Sequence, residues 1–288
     1  MAAEPPAAAA PRTVARALAD ARAAGLGRLD AQLLLAFHLR QPRTWLLTHG
    51  DDLLPPVLDA AYAGDCRLRA EGMPLAYLTG QHEFHGLLLE VTPDVLDPRP
   101  DTETLVDWAL ERLAARPAGA DRAQVADLGT GSGAIALAIK HGCAAAQVRA
   151  LDASPGALAV ARRNAERLGL EVVFLQADWW EGFAPPLLDL ALSNPPYIAG
   201  DDPHLPALRH EPRMALTPEG DGLDAIRRIV AGAPPRLRAD AWLLLEHGHD
   251  QAAAVQALLA AAGFVDIQGR HDLAGHLRCS GGRWPGRA

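Results

Sequence analysis

The side chains best suited to chemistry lie in the tetrapeptide Asn194-Pro195-Pro196-Tyr197, directly after the apolar run Leu187–Leu192. The Asn194 side chain and the backbone carbonyls offer hydrogen-bond acceptors, whereas the two prolines have no backbone N–H to donate. A loop of this kind at the end of a buried strand can accept both hydrogens of an –NH2 group. It suits reaction at an amide or amino nitrogen whose lone pair is conjugated.

A glycine-rich motif lies upstream, in Asp127-Leu-Gly-Thr-Gly-Ser-Gly133, after the short apolar stretch Gln124–Leu128. Its glycines let the backbone turn tightly and approach a ligand closely. Asp152 ends the next apolar stretch, 21 residues after Gly131, where a carboxylate can accept hydrogen bonds from both hydroxyls of a ribose. These features predict a site for an adenosine-containing cofactor.

The spacing of the glycines favours S-adenosylmethionine over a dinucleotide. They recur as G-x-G-x-G rather than G-x-G-x-x-G, so the fingerprint for a pyrophosphate is incomplete. Asp178 and Trp179 follow the third predicted strand, where a carboxylate and an aromatic face can bracket adenine. Core packing is the alternative role for Trp179, and capping of the helix at Ser154 is the alternative for Asp152. With the tetrapeptide, the sequence predicts a nitrogen methyltransferase.

The elements that must position these residues alternate between strand and helix. This pattern predicts an α/β fold with a doubly wound, mostly parallel seven-stranded sheet, in which a final hairpin makes one strand antiparallel. Ligands bind such sheets at the carboxyl ends of the strands, where the strand order reverses. The predicted strands are Gln124–Leu128, Gln147–Leu151, Glu171–Leu175, Leu187–Leu192, Ala241–Leu245, Phe264–Gln268 and His276–Ser280.

The first part of the chain has helical spacing from Thr13 to about Gly80, which predicts a bundle of four or five short helices. The predicted organisation is a disordered tail (1–10), a helical domain (11–82), a β-hairpin linker (83–92) and the alternating domain (93–288).

Composition excludes several classes of function. A net charge of −8 over 288 residues argues against a protein that holds nucleic acid mainly through phosphates. Cys66, Cys143 and Cys279 form no C-x-x-C pair, so neither a disulfide framework nor a metal site is expected, which fits a cytoplasmic protein. No apolar run reaches membrane-spanning length, so no membrane partner is expected.

The chain resembles the protein N5-glutamine methyltransferases that modify peptide chain release factors, the HemK/PrmC type. The likeness covers about residues 70–280 and extends beyond the two motifs to Pro74–Gly80, Pro98–Glu103 and Leu243–Gly248. Asn-Pro-Pro-Tyr alone is shared with DNA adenine methyltransferases. The segments Pro74–Gly80 and Pro98–Glu103 are more particular to the release factor enzymes.

The resemblance implies a class I S-adenosylmethionine-dependent methyltransferase, Rossmann-like in fold, that methylates the glutamine amide in the Gly-Gly-Gln loop of release factors. It also implies that the helical domain helps to dock the factor. Asn194, Pro195 and Tyr197 are the predicted catalytic residues, and Pro196 completes the substrate-binding clamp. The predicted cofactor contacts are Gly129, Thr130, Gly131, Ser132, Gly133, Asp152, Asp178, Trp179 and Asn194.

Two alternatives remain open on the residues alone. An adenine amino-methyltransferase acting on DNA or RNA presents the same –NH2 group to the clamp, although the acidic chain argues against it. A release-factor-binding module without catalysis is the second.

Asp97 departs from the family pattern, which usually has an aliphatic residue at this position. Its carboxylate adds a charge beside the expected cofactor lid. Glu246 and His247 are interpreted as a polar pair at a strand end rather than as a general base.

Overall fold

The computed structural model describes residues 11–117, 119–184 and 186–286. The tail predicted for residues 1–10 lies outside this range. One compact unit ends at Gly80 and a second begins at Gln81. No helix within the described ranges is both long and apolar enough to cross a membrane.

The first unit is helical, as its spacing predicts. The Thr13 hydroxyl caps its first helix by accepting a hydrogen bond from the Arg16 N–H. Tyr62, Leu34 and Leu35 are almost fully buried in its core. Its helices are α1 (Val14–Ala23), α2 (Arg28–Leu39), a 3₁₀ helix (Arg43–Leu47), α3 (Pro56–Ala70) and α4 (Leu75–Thr79).

The second unit opens with a β-hairpin of β1 (Gln81–Phe84) and β2 (Leu87–Glu90) and continues with alternating helices and strands. Short 3₁₀ helices cover Pro100–Thr102, Leu205–Leu208 and Pro234–Arg236. The remaining elements are α5 (Glu103–Ala114), β3 (Gln124–Leu128), α6 (Ala134–Gly142), β4 (Gln147–Asp152), α7 (Pro155–Leu168), β5 (Val173–Gln176), β6 (Leu188–Ser193), α8 (Arg213–Leu216), α9 (Asp224–Gly232), β7 (Leu237–Glu246), α10 (Ala252–Ala261), β8 (Val265–His271) and β9 (Leu277–Arg283).

The sheet has seven strands in the order β5-β4-β3-β6-β7-β9-β8. Neighbouring strands from β5 to β7 are parallel, whereas β9 runs antiparallel to both of its neighbours. The predicted doubly wound fold with one antiparallel strand is therefore confirmed. The strand order reverses between β3 and β6, which lie side by side.

The last three strands are each at least two residues longer than the sequence pattern predicts, and β8 continues past Gln268 to His271. β7 begins at Leu237 rather than Ala241, and Asp240 interrupts its regular backbone with a φ of 65°. β9 continues past Ser280 to Arg283 through two consecutive glycines. The extension of β9 carries no alternating apolar pattern of the kind that identifies a strand.

Helices cover both faces of the sheet and bury its central strands. One core cluster contains Trp108 and Leu137, and the other contains Leu151 and Ile229. All five residues of β3 are buried, which is typical of a central strand in a doubly wound fold.

Candidate active site

The glycine loop and the Asn-Pro-Pro-Tyr tetrapeptide meet where the strand order reverses. The loop follows β3 and the tetrapeptide follows β6, and these strands pair in parallel with Asp127 opposite Leu192. The Ser193 hydroxyl donates a 2.6 Å hydrogen bond to the Leu128 carbonyl, which ties the two strand ends together. The two predicted motifs therefore share one edge of the sheet.

Asp127 holds the glycine loop in shape from below. Its Oδ2 accepts hydrogen bonds from the Thr130 hydroxyl at 2.6 Å and from the Ala136 N–H at 3.2 Å. The Asp127 side chain is fully buried, and this burial raises its pKa to about 7. The loop thus rests on a carboxyl group that takes up a proton far more readily than an exposed aspartate does.

Asp152 is fixed at the end of β4 by backbone N–H groups. Its Oδ2 accepts from Gly131 at 2.8 Å and its Oδ1 from Ser154 at 2.8 Å. Burial raises the pKa of Asp152, and these N–H donors oppose that rise. Each carboxylate oxygen keeps further lone pairs with which to accept hydrogen bonds from a ligand.

A pocket with a cavity volume of about 160 Å³ lies over this edge of the sheet. Its wall includes the ends of β3, β4 and β6 and two segments that cross above them. The residues that line it are Asp94, Val95, Leu96, Gly129, Gly131, Asp152, Ala153, Ser154, Ala157, Ala177, Asp178, Trp179, Asn194, Pro196, Pro212, Met214 and Ala215.

Some predicted cofactor residues support the pocket without lining it. The Thr130 hydroxyl is occupied by Asp127, and the Ser132 carbonyl accepts from the Asn164 side chain at 3.0 Å. Gly133 has a φ of 85° and precedes α6, and a Cβ there would lie 3.2 Å from the Ala161 methyl. Thr130, Ser132 and Gly133 shape the loop that carries Gly129 and Gly131 into the pocket wall.

Trp179 and Asp178 close the side of the pocket that follows β5. The Trp179 ring lies against the loop, since a Cβ on Gly129 would be only 3.2 Å from it. The ring is partly buried against the core, so the packing role and the pocket-lining role coincide. The Asp178 carboxylate lies 2.7 Å from Arg228 Nη2, and its side chain is half-exposed.

Asn194 lies on the pocket wall, and its amide nitrogen is already engaged. Nδ2 donates to the Thr102 hydroxyl at 3.0 Å. The side-chain carbonyl oxygen is left as the group available to a ligand.

Of the other tetrapeptide residues, Pro196 lines the pocket, whereas Pro195 is buried. Tyr197 packs its ring against the core, and its hydroxyl lies 3.5 Å from Glu246 Oε1. Its carbonyl accepts from the Gln251 side chain at 2.9 Å.

Glu246 and His247 end β7 in different surroundings. His247 has the structural role that the sequence suggests, because its two ring nitrogens lie 2.8 Å from the Gly248 carbonyl and 2.8 Å from the Ser280 hydroxyl. Glu246 is almost fully buried behind the Asn194 loop, and burial raises its pKa to about 7. Its Oε2 has no hydrogen-bond partner that meets normal geometry.

The two segments that cross the pocket were not identified as site residues from the sequence. Residues 94–96 and 212–215 both contribute to its wall. Arg99 Nη2 lies 2.6 Å from Glu211 Oε1, and the Asp97 N–H donates to Glu211 Oε2 at 3.3 Å. Glu211 thus joins the first segment to the second.

Asp97, the departure from the family pattern, is buried and paired. Its Oδ1 lies 2.7 Å from His82 Nδ1, and its Oδ2 lies 3.8 Å from Arg99 Nη1. The carboxylate therefore lies beside a histidine of β1 and an arginine of its own segment.

The segment Pro98–Glu103 connects several parts of the site. Beyond Arg99, its Asp101 lies 3.5 Å from Arg278 on β9. Its Glu103 side chain accepts the His85 N–H at 2.9 Å. Each polar side chain of this short segment therefore holds a different part of the second unit.

Two family models match the chain. The model described as "Methyltransferase small domain" matches residues 103–244, and the one described as "PrmC N-terminal domain" matches residues 10–80. The release factor glutamine methyltransferase of Bordetella pertussis is 50% identical over 261 residues, which cover 90% of this chain and 95% of that protein. The chain belongs to the release factor glutamine methyltransferase family.

The release factor glutamine methyltransferase of Burkholderia pseudomallei is likewise 50% identical, over 96% of this chain and 98% of that protein. A solved methyltransferase from Pyrococcus furiosus superimposes with a TM-score of 0.53 at 18% identity, covering 70% of this chain and 90% of that one. At that identity the likeness concerns the fold, which is that of the methyltransferases. The family resemblance predicted from the sequence is confirmed.

Proposed function

We propose that this protein transfers the methyl group of S-adenosylmethionine to the side-chain amide nitrogen of the glutamine in the Gly-Gly-Gln loop of peptide chain release factors. The observation that carries the proposal is the hydrogen bonding of the Asn194 side chain on the pocket wall. Because its Nδ2 donates to Thr102 at 3.0 Å, its Oδ1 is free to accept an N–H from a substrate amide. Family membership supplies the substrate class.

The pocket fits the cofactor. S-adenosylmethionine supplies a methyl carbon made electrophilic by a sulfonium centre. Gly129 and Gly131 give the loop a wall without side chains, and Asp152 offers carboxylate lone pairs to the ribose hydroxyls. Trp179 offers a ring face to adenine, and stacking of this kind contributes about 1–3 kcal/mol per base in other systems. Asp178 lies beside it and can accept from the adenine amino group.

The substrate amide must be held because its nitrogen is a poor nucleophile. Its lone pair is delocalised into the carbonyl, so it has to be turned toward the methyl carbon. We assign this task to Asn194 Oδ1 and the Pro195 carbonyl, each of which accepts one N–H. Fixing two reactants in line can lower a barrier by roughly 7–11 kcal/mol. Pro196 forms the adjacent wall, and Tyr197 supports the loop from the core.

The same two acceptors stabilise the charge that develops during the reaction. Positive charge grows on the amide nitrogen as the new N–C bond forms. Acceptors placed where charge develops contribute about 3–4 kcal/mol each, by analogy with oxyanion holes. The nitrogen loses a proton readily once it has been methylated, so the clamp does not require a side-chain base.

We infer that the helical unit, proposed as the domain of residues 11–82, docks the release factor, with residues 93–288 as the methyltransferase domain and 83–92 as the linker. The support is a set of exposed apolar side chains on the helical unit, in which Leu47, Leu53 and Val57 are 68%, 63% and 85% exposed. Val57→Glu should raise KM for the whole factor and leave KM for a short Gly-Gly-Gln peptide unchanged. Equal KM changes for both substrates would contradict this role. We further infer that the enzyme works in the cytoplasm, with its substrate.

One experiment separates the candidate functions. The full chain is incubated with S-adenosylmethionine carrying a labelled methyl group and, in parallel, with a release factor, the same factor with its Gly-Gly-Gln glutamine replaced by alanine, or duplex DNA. The proposal predicts label in the first factor only. Label in the DNA would instead favour the adenine methyltransferase. Binding of the factor without transfer would leave a non-catalytic module.

A further inference from the structure

The proposed function depends on which way the Asn194 carboxamide faces. Its oxygen and its –NH2 group are similar in size but opposite in hydrogen-bond role. A half-turn about the terminal bond would present –NH2 to the –NH2 of the substrate, and neither could accept. The orientation must therefore be set by the neighbours of Asn194.

Thr102 is the neighbour that contacts the amide nitrogen. It is 4% exposed and ends the 3₁₀ helix Pro100–Thr102 that precedes α5. Its hydroxyl lies 3.0 Å from Asn194 Nδ2. A hydroxyl has one hydrogen and two lone pairs, so it can serve either end of the Asn194 amide until its own hydrogen is committed.

Glu246 can commit that hydrogen. Its side chain is 1% exposed, its Oε1 lies 3.5 Å from the Tyr197 hydroxyl, and its Oε2 lacks a partner. The Thr102 hydroxyl lies close enough to this carboxyl to lower its pKa against the effect of burial, and we assign the unpartnered, buried Oε2 atom as the acceptor of the Thr102 hydrogen. An ionised carboxylate can only accept. Thr102 must then accept from Asn194, which requires Nδ2 on its side.

We propose that Thr102 and Glu246 are positioning residues that hold the Asn194 amide with Oδ1 toward the substrate. This inference rests on the proposed function. Neither residue is part of the pocket wall. They act through Asn194.

The chain of contacts from Glu246 through Thr102 to Asn194, called the relay below, also responds to protonation. Glu246 is faced by Tyr197, Thr102, Asp101, Arg278 and Cys279. Burial and Asp101 raise the pKa of the carboxyl, Arg278 and the two hydroxyls lower it, and the outcome is about 7. A protonated Glu246 can donate to the Thr102 oxygen and release the Thr102 hydrogen toward Asn194. That reverses the preferred amide orientation, so activity should rise as the pH increases through about 7.

The hydroxyl is tested with a matched pair of substitutions. Thr102→Val keeps the shape and removes the hydroxyl, and Thr102→Ser keeps the hydroxyl. Thr102→Val should lower kcat for release factor methylation by at least about tenfold, equivalent to one lost hydrogen bond, with the Kd for S-adenosylmethionine unchanged. Thr102→Ser should restore most of kcat. A valine variant with wild-type kcat would overturn the inference, provided that the wild-type protein methylates the factor.

The carboxyl is tested through the pH profile. Glu246→Gln cannot ionise, so the rise of kcat through about pH 7 should disappear while cofactor binding and the thermal midpoint remain near those of the wild type. An identical pH profile in the wild type and in Glu246→Gln would overturn the relay. Failure of the wild-type protein to methylate any release factor would instead remove the proposed function, and with it this inference.

Discussion

Arg99 and Glu211 form an ion pair of 2.6 Å that joins the two segments crossing the pocket. Glu211 is almost completely buried, with a side chain only 3% exposed, whereas Arg99 is 36% exposed. The same carboxylate accepts the Asp97 N–H through its other oxygen. One buried side chain therefore holds the segment of residues 94–99 against the segment of residues 211–215.

Glu211→Gln should weaken binding of S-adenosylmethionine by about tenfold. The substitution leaves Arg99 and the backbone hydrogen bond with a neutral partner, and loss of a charge-assisted bond of this kind costs about 1.5–3 kcal/mol. Calorimetric titration of the cofactor measures the change in Kd. Glu111→Gln is the matched control, because Glu111 pairs with Arg270 at 3.0 Å on an exposed surface. Equal Kd values for the two variants would contradict the role of Glu211.

Substitutions at Asn194 and at Asp152 should affect the rate of methyl transfer and the affinity for the cofactor separately. Asn194→Ala removes one acceptor of the clamp, so methyl transfer should fall by about 10²–10³, as for an oxyanion-hole donor, with cofactor Kd little changed. Single-turnover rates and calorimetry measure the two quantities independently. Normal turnover in this variant would remove Asn194 from the mechanism.

Asp152→Ala should have the opposite profile. Loss of the carboxylate removes the acceptor proposed for the ribose and the partner of the Gly131 N–H, whose bond is 2.8 Å. The Kd for S-adenosylmethionine should rise by at least about tenfold, with KM for the release factor much less affected. A variant that loses affinity for the factor but not for the cofactor would refute this assignment.

The sheet and its ligand edge were predictable because local patterns encode them. The run Ala241–Leu245 in β7 is continuously apolar, and Ser154 with Pro155 predicts the start of α7. The extension of β9 was not predictable from such a pattern. A Cβ on Gly281 would lie 2.7 Å from the Leu243 backbone carbonyl oxygen, so the strand needs a glycine where a sequence pattern expects an apolar side chain.

The parts of the site that the sequence did not reveal depend on contacts between distant residues. Glu211 meets Arg99 from 112 positions away, and Thr102 meets Asn194 from 92 positions away. The motif Pro98–Glu103 was recognised, but the partner of each of its side chains was not. No local spacing encodes such pairs, because they are set by the order of the strands.

The buried Asp127 should make stability depend on pH. Its pKa is about 7 in the folded protein against 3.8 ordinarily, so between these values the folded state binds more protons than the unfolded state. Stability contributed by this group is therefore present at low pH and falls as the pH rises toward about 7. Asp127→Asn should reduce the loss of unfolding free energy between pH 5 and pH 8 by roughly 2–3 kcal/mol. Denaturant titrations at both pH values measure it, and parallel losses in the two proteins would contradict it.

Gly222 belongs to none of the sequence motifs but packs against the tetrapeptide, and the nearby Gly220 offers a matched control. Both have positive φ, 78° and 57°. A Cβ on Gly220 meets nothing within 4 Å, whereas one on Gly222 would overlap the Tyr197 carbonyl and lie 3.1 Å from the Ala199 nitrogen. Either alanine costs about 1–2 kcal/mol for the left-handed backbone. Only Gly222→Ala should also displace the loop that carries Asn194.

We therefore expect Gly222→Ala to lower kcat by at least about tenfold, which corresponds to about 1.4 kcal/mol, and Gly220→Ala to leave kcat near the wild-type value. Thermal midpoints should fall in both variants, and further in Gly222→Ala. Methylation rates measured well below those midpoints separate the effect on the loop from the effect on stability. Equal kcat in the two variants would mean that the position of the Tyr197 carbonyl does not control the clamp.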